Sequence, residues 1–80
     1  MTGTQENQRA EERAALERER RAFDRRQAAF IAVTRQFVPS GSGVPAQQDL
    51  AELFAADSEW DAARADVERI VGEIRSGTRR

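Results

Sequence analysis

The sequence contains no cysteine, histidine, lysine or tyrosine. Without cysteine the chain has no disulfide framework and no thiolate metal site. Without histidine and lysine it lacks the commonest general base and the Schiff-base nucleophile, and its serines and threonines have no evident base partner. We therefore predict that the chain is not an enzyme, and we expect no catalytic residue, cofactor, metal ion or small-molecule substrate.

Long hydrophobic runs are also missing. No apolar stretch approaches the roughly 20 residues that a membrane-spanning helix needs, and the polar residues 1–15 predict no signal peptide. The net charge of −1 gives no generic attraction to nucleic acids or anionic membranes. We expect a cytoplasmic protein that does not contact membranes, and we do not expect nucleic acid to be its main partner.

Large apolar residues are scarce. Hydrophobic residues make up 39% of the 80-residue chain, but nearly half of them are alanine. The remaining side chains give little apolar area with which to offset the conformational entropy of an ordered chain. The chain is long enough for one domain, and we expect a monomer to be only marginally stable without a second chain.

The residues that are present favour helices. Alanine, arginine, glutamate and glutamine dominate residues 5–38, where nothing interrupts a helix. Residues 39–45 contain both prolines and two glycines, which predicts a turn. A second helix is predicted over residues 46–76, with a frayed tail at 77–80 and a disordered N-terminus at 1–4. The fold class is therefore all-α, a two-helix antiparallel hairpin.

The sequence allows a break at one place in the second helix. Ser58 and Asp61 resemble a weak capping box, so this helix could break at Asp57–Ser58 into segments of about 46–56 and 59–75. We favour one continuous helix.

The spacing of the acidic residues within residues 57–68 superficially resembles that of a calcium-binding loop. Ala62 and Arg64, however, occupy positions where that loop needs glycine and an apolar residue. A plain helix is the better interpretation.

A seven-residue repeat runs along the first helix. Small–large pairs recur at this interval as Ala15–Leu16, Ala22–Phe23 and Ala29–Phe30, and Gln36–Phe37 continues the series. The intervening core positions of a standard zipper carry charged residues such as Glu19 and Arg26. Small residues beside large ones favour close antiparallel packing. Residues 28–33 carry apolar side chains on all sides of the helix, which predicts that this segment is the middle of a buried core.

The second helix carries its own apolar stripe. Spacings of three and four connect Leu53, Ala56, Trp60, Ala63, Val67, Ile70 and Ile74. When the chain folds back near Gly41, the end of this stripe lies opposite the polar residues Gln8 and Arg9. We therefore expect it to pack against another chain. The predicted association interface comprises Leu16, Phe23, Phe30, Phe37, Leu53, Trp60, Val67, Ile70 and Ile74.

These patterns predict a protein–protein interaction module. We expect a self-associating helical hairpin, as a homodimeric antiparallel four-helix bundle or docked on a partner protein, that acts as an accessory subunit, assembly subunit or small regulator. The alternative is an antitoxin-like, nucleic-acid-associated regulator. Its contacts would come from a basic segment containing Arg18, Arg20, Arg21, Arg25 and Arg26. Carboxylates interspersed in that segment argue against a concentrated basic face.

Overall fold

The computed structural model describes residues 2–79 and consists of two antiparallel helices joined by a turn. Helix α1 spans Thr2–Thr34, a short 3-10 segment covers Arg35–Phe37, and helix α2 spans Gln47–Ser76. Met1 and Arg80, which belong to the predicted disordered N-terminus and frayed tail, lie outside the described residues. The helices pack side by side in a rod 60 Å long, which confirms the predicted all-α hairpin.

The helix ends differ from the sequence-based boundaries in two places. Helix α1 begins at Thr2, although the sequence predicted disorder over residues 1–4. It ends at Thr34 and continues only as the 3-10 segment, because the chain must leave the helical conformation before Pro39. Helix α2 continues without a break through Asp57 and Ser58, so residues 57–68 form part of a helix and not a loop.

Glycine and one side chain organise the turn. The amide of Gly43, whose φ is 76°, donates to the carbonyl oxygen of Gln36 at 2.6 Å. The Gln36 side chain accepts hydrogen bonds from the backbone and the hydroxyl of Ser42, both at 3.2 Å. Gly41 packs so closely that a Cβ atom there would lie 2.5 Å from the Gln36 carbonyl oxygen. These contacts reverse the chain within a few residues.

The C-terminal residues return towards α1. Gly77 adopts a left-handed conformation with φ of 80°, and the amide of Thr78 donates to the carbonyl oxygen of Glu73 at 3.0 Å, which ends α2 as a Schellman motif. The guanidinium of Arg79 contacts Glu11, and its Nε atom lies 3.6 Å from Glu12. The side chain of Arg79 is only 5% exposed. Thr78 is exposed but hydrogen-bonded to the end of α2, and Arg79 packs back on α1, whereas the sequence predicted a frayed tail.

The contact between the helices is built from alanine. We call the buried line between them the alanine seam; it consists of Ala15, Ala22, Ala29, Ala56, Ala63 and Ile70. Each helix contributes one residue every seven positions, so the buried line stays between two helices that wrap gently around each other. Val33 is also buried. Within the part of the chain that the structure describes, no large side chain is completely buried.

Candidate association surface

Large apolar side chains lie along one side of the alanine seam. On α1 each of them directly follows a seam position, and Phe37 continues their seven-residue spacing in the 3-10 segment. On α2 each precedes or follows a seam position by three or four residues. The rings of Phe23 and Trp60, with centroids 5.7 Å apart, show that the two rows lie on the same side of the hairpin. We call this surface the apolar face; it consists of Leu16, Phe23, Phe30, Phe37, Leu53, Trp60, Val67 and Ile74.

The row on α1 remains open to solvent. Leu16, Phe23, Phe30 and Phe37 are each between 38% and 58% exposed. On α2, Ile74 is half exposed, whereas the central members of the row are partly buried against α1. The single partner helix covers only the seam and its immediate flank, because small alanine side chains cannot surround the neighbouring phenylalanines.

Two positions lie differently from what the sequence suggests. Ile70, which the sequence places in the predicted association interface, is 4% exposed within the hairpin and belongs to the alanine seam, because it lies seven residues after Ala63. The predicted buried centre at residues 28–33 is largely open in this chain. Ala28 and Ile31 are exposed, and so is Phe30. Burial on all sides of this segment would require more than one neighbouring helix.

Trp60 is the best-anchored side chain of the apolar face. Its indole Nε1 donates a hydrogen bond of 3.1 Å to Glu19. The guanidinium groups of Arg26 and Arg64 lie 5.2 and 4.6 Å from the centroid of the indole ring, within the range of cation–π attraction. With Phe23 beside it, the indole is held by four side chains. This rigid group is typical of an interface anchor.

A row of ion pairs between the helices occupies the opposite side of the seam, whereas the Arg26–Asp57 pair lies beside Trp60. We call this side the charged face; it consists of Glu11, Arg18, Arg25, Glu52, Glu59, Asp66 and Arg69. Arg18 contacts Asp66 at 2.9 Å, and Arg25 contacts Glu52 at 2.8 Å and also Glu59. The partners of α1 residues move back along α2 as the position on α1 advances, from Asp66 for Arg18 to Glu52 for Arg25, as an antiparallel hairpin requires.

Hydrogen bonds on the charged face change the pKa values of its carboxyl groups. The pKa of Glu52 lies below its usual range, chiefly because Arg25 donates a hydrogen bond to the carboxylate. The pKa of Asp66 is also lowered, mainly by a hydrogen bond from Arg69 and further by the charge of Arg18. Both carboxylates remain ionised at neutral pH. The charged face is therefore internally compensated.

The arginines considered for nucleic-acid contact do not form one surface. Arg18 and Arg25 pair with carboxylates on the charged face. Arg26 instead contacts Asp57 and the Trp60 ring, and Arg21 pairs with Glu17 of its own helix. Arg20 lies exposed among them. The segment presents alternating charges around the helix and does not form a continuous basic stripe.

Other surface features offer little for binding. A shallow depression along α1 is lined by Gln5, Glu6, Arg9 and Arg13, all of which are exposed. A site of this kind does not desolvate a reacting group. Among residues 2–79, neither helix combines the length and apolar character needed to cross a membrane. No protein-family model, curated protein or solved structure matches this chain.

Proposed function

We propose that this chain is a non-catalytic protein–protein interaction module that associates with itself through the apolar face and serves as an accessory or assembly subunit. The observation that carries the proposal is the division of the apolar residues. Alanines fill the contact inside the hairpin, while Leu16, Phe30 and Phe37 face solvent. A row of large exposed apolar residues beside a second, partly buried row supports an interaction site on an otherwise polar protein.

The dimensions of the hairpin support a protein partner. The Cα atoms extend 60 Å along the rod and 17–20 Å across it. A face of this size projects roughly 1,000 Å², and each partner in a standard protein–protein interface contributes about 800 Å². The exposed row of Leu16, Phe23 and Phe30 on α1 is of the kind that packs into the groove between two helices of another hairpin in four-helix bundles.

The charged face also favours association through the apolar face. Its arginines and carboxylates already pair within one chain, as the contacts of Arg25 with Glu52 and Glu59 illustrate. Burial of these pairs under a partner would require their desolvation without new compensation. A bundle with the apolar faces inside and the charged faces outside avoids that cost.

The solution mass of the purified chain tests this proposal. Light scattering after size exclusion at micromolar concentration should give twice the 9.0 kDa of one chain. Phe30→Glu should reduce the mass to that of a monomer, since a carboxylate would have to be buried in the interface. Ile31→Glu is the matched control, because Ile31 is also large and exposed but lies outside the apolar face.

Two results would overturn the proposal. One is a wild-type chain that remains a folded monomer at high micromolar concentration. The other is an oligomer that Phe30→Glu leaves intact, because association would then use a different surface. Loss of the oligomer in Ile31→Glu as well would indicate non-specific hydrophobic contact.

A further inference from the structure

We infer that the second copy docks in the antiparallel orientation, with a two-fold axis beside Phe23 and Trp60. In this dimer α1 lies against α1 of the other copy, and α2 lies against α2. The turn of each hairpin then meets the open end of the other, the end at which α1 begins and α2 finishes. The inference rests on the proposed self-association and specifies its geometry.

The open end of the hairpin favours the antiparallel orientation. There α2 presents Val71 and Ile74, which are exposed. The residues of α1 at the same level are charged, since Arg69 and Arg79 of the C-terminal region both contact Glu11. The hairpin therefore supplies no apolar neighbour for the last part of the α2 row.

The residues of the second copy that lie over the open end differ between the two possible stackings of the hairpins. If two hairpins stack with their turns together, α2 lies over α1 of the other copy. Val71 and Ile74 then lie over the start of α1, where Arg9, seven residues before Leu16, pairs with Glu12 at 3.1 Å.

If the hairpins are antiparallel about Trp60, the end of α2 meets the start of α2 in the other copy. Val71, 11 residues after Trp60, then lies at the level of the partly buried Leu50, 10 residues before Trp60. Ile74 lies at the level of Ala46. Only the antiparallel stacking gives the open end an apolar neighbour.

Residues at equal distances before and after the proposed axis also favour the antiparallel orientation. On α1, Leu16 and Phe30 lie seven residues before and after Phe23, so a two-fold axis there places Leu16 against Phe30 of the second copy.

Oppositely charged residues also lie on both sides of the axis. Glu19 and Arg26 contact Trp60 and Asp57, respectively, within one chain. They lie four residues before and three after Phe23, so the axis places each near the other between copies.

Helix α2 shows the same arrangement around Trp60. Asp57 lies three residues before Trp60, and Arg64 lies four residues after it. A two-fold axis beside Trp60 places Arg64 of one copy near Asp57 of the other. The central positions of both helices therefore complement themselves when the direction is reversed, as a two-fold interface requires, whereas Phe37 at the end of the α1 row lies at the level of Arg9.

Spin labels at the turn test the orientation directly. The chain has no cysteine, so Ser40→Cys creates a single attachment site, at an exposed turn residue. Ser40 lies 17 residues from Phe23, about 25 Å along the axis at ~1.5 Å per residue. Labels in an antiparallel dimer should therefore be about 50 Å apart. Turns stacked together would hold the labels within about 20–25 Å, because packed helices are separated by only ~8–10 Å.

A mixed sample provides the reciprocal measurement. Arg75→Cys places a label at the exposed open end of α2. In dimers that combine one Ser40→Cys chain with one Arg75→Cys chain, the antiparallel geometry predicts a short distance between labels, about 20–25 Å. Parallel stacking predicts a long one. Each labelled protein is first checked by light scattering, because both variants must keep the wild-type mass.

The outcomes separate the orientation from the proposed function. A dimer with the long turn–turn distance and the short mixed distance supports the inference. A dimer with the reverse pattern overturns the antiparallel orientation and leaves self-association intact. A wild-type monomer overturns self-association, and the orientation with it.

Discussion

Enlargement of one seam residue should weaken the hairpin sharply. Ala22 is fully buried at 0% exposure, and Ala63 of α2 is 2% exposed on the same seam. In Ala22→Leu the added atoms have no space unless the helices separate or the new side chain leaves its preferred rotamer. Overpacking of this kind costs about 1–3 kcal/mol. Alanine and leucine both favour helices, so intrinsic helix propensity contributes little to the difference.

The effect should also reach the apolar face. Phe23 follows Ala22 directly, and its ring lies 5.7 Å from that of Trp60. Separation of the helices would weaken this contact and expose the indole. Urea unfolding of Ala22→Leu should therefore show a lower free energy of unfolding by far-UV circular dichroism. The emission of Trp60, the only tryptophan in the chain, should shift to longer wavelength under native conditions.

Ala28→Leu is the matched control for this experiment. Ala28 occupies the same helix but is exposed, so a leucine there extends into solvent. We expect its free energy of unfolding to remain within about 0.5 kcal/mol of wild type. Equal stabilities of Ala22→Leu and Ala28→Leu, measured at the same protein concentration, would refute the assignment of alanine to the helix–helix contact.

Two further predictions concern the charged face and the turn. The pKa values of Glu52 and Asp66 are lowered in the folded chain, so their stabilising contribution is complete above their usual pKa values and declines as the pH falls below about 4.5. Urea midpoints measured at pH ~7 and pH ~3 should show this loss, and identical midpoints would contradict it. In the turn, Gly41→Ala should destabilise the hairpin by about 1–3 kcal/mol, because its Cβ would meet the Gln36 backbone at 2.5 Å. Thermal unfolding with Gly72→Ala as control tests this, since a Cβ at Gly72 meets nothing within 4 Å and the helix should gain up to about 1 kcal/mol.

The local chemistry of the sequence was sufficient to predict both helices and the turn. Helix propensity, proline and glycine affect the backbone conformation only of residues within a few positions along the chain. The effects of the uninterrupted helix formers, the two prolines and the turn glycines therefore do not depend on the rest of the fold. The seven-residue repeat and the position of the turn also brought Trp60 to the level of Phe23, as the ring contact shows. These features follow from the helical rise and the antiparallel return of the chain.

The tertiary structure decided which side of each helix is buried. Adjacent heptad positions on α1 hold alanine and a large apolar residue, and both have the same period, so sequence spacing cannot choose between Ala22 and Phe23. The choice depends on the distance between the helices. Alanine permits close backbone approach, and the phenylalanines are then displaced to the flank. That displacement creates the apolar face.

Contacts between residues distant in sequence likewise appear only in three dimensions. The return of Arg79 to Glu11 joins positions 68 residues apart, and the choice of Asp57 as the partner of Arg26 depends on how the helices rotate about the seam. Helical period determines which residues share a stripe on one helix. The rotation of one stripe against another depends on side-chain volume and charge across the contact, and only the packed hairpin brings these together.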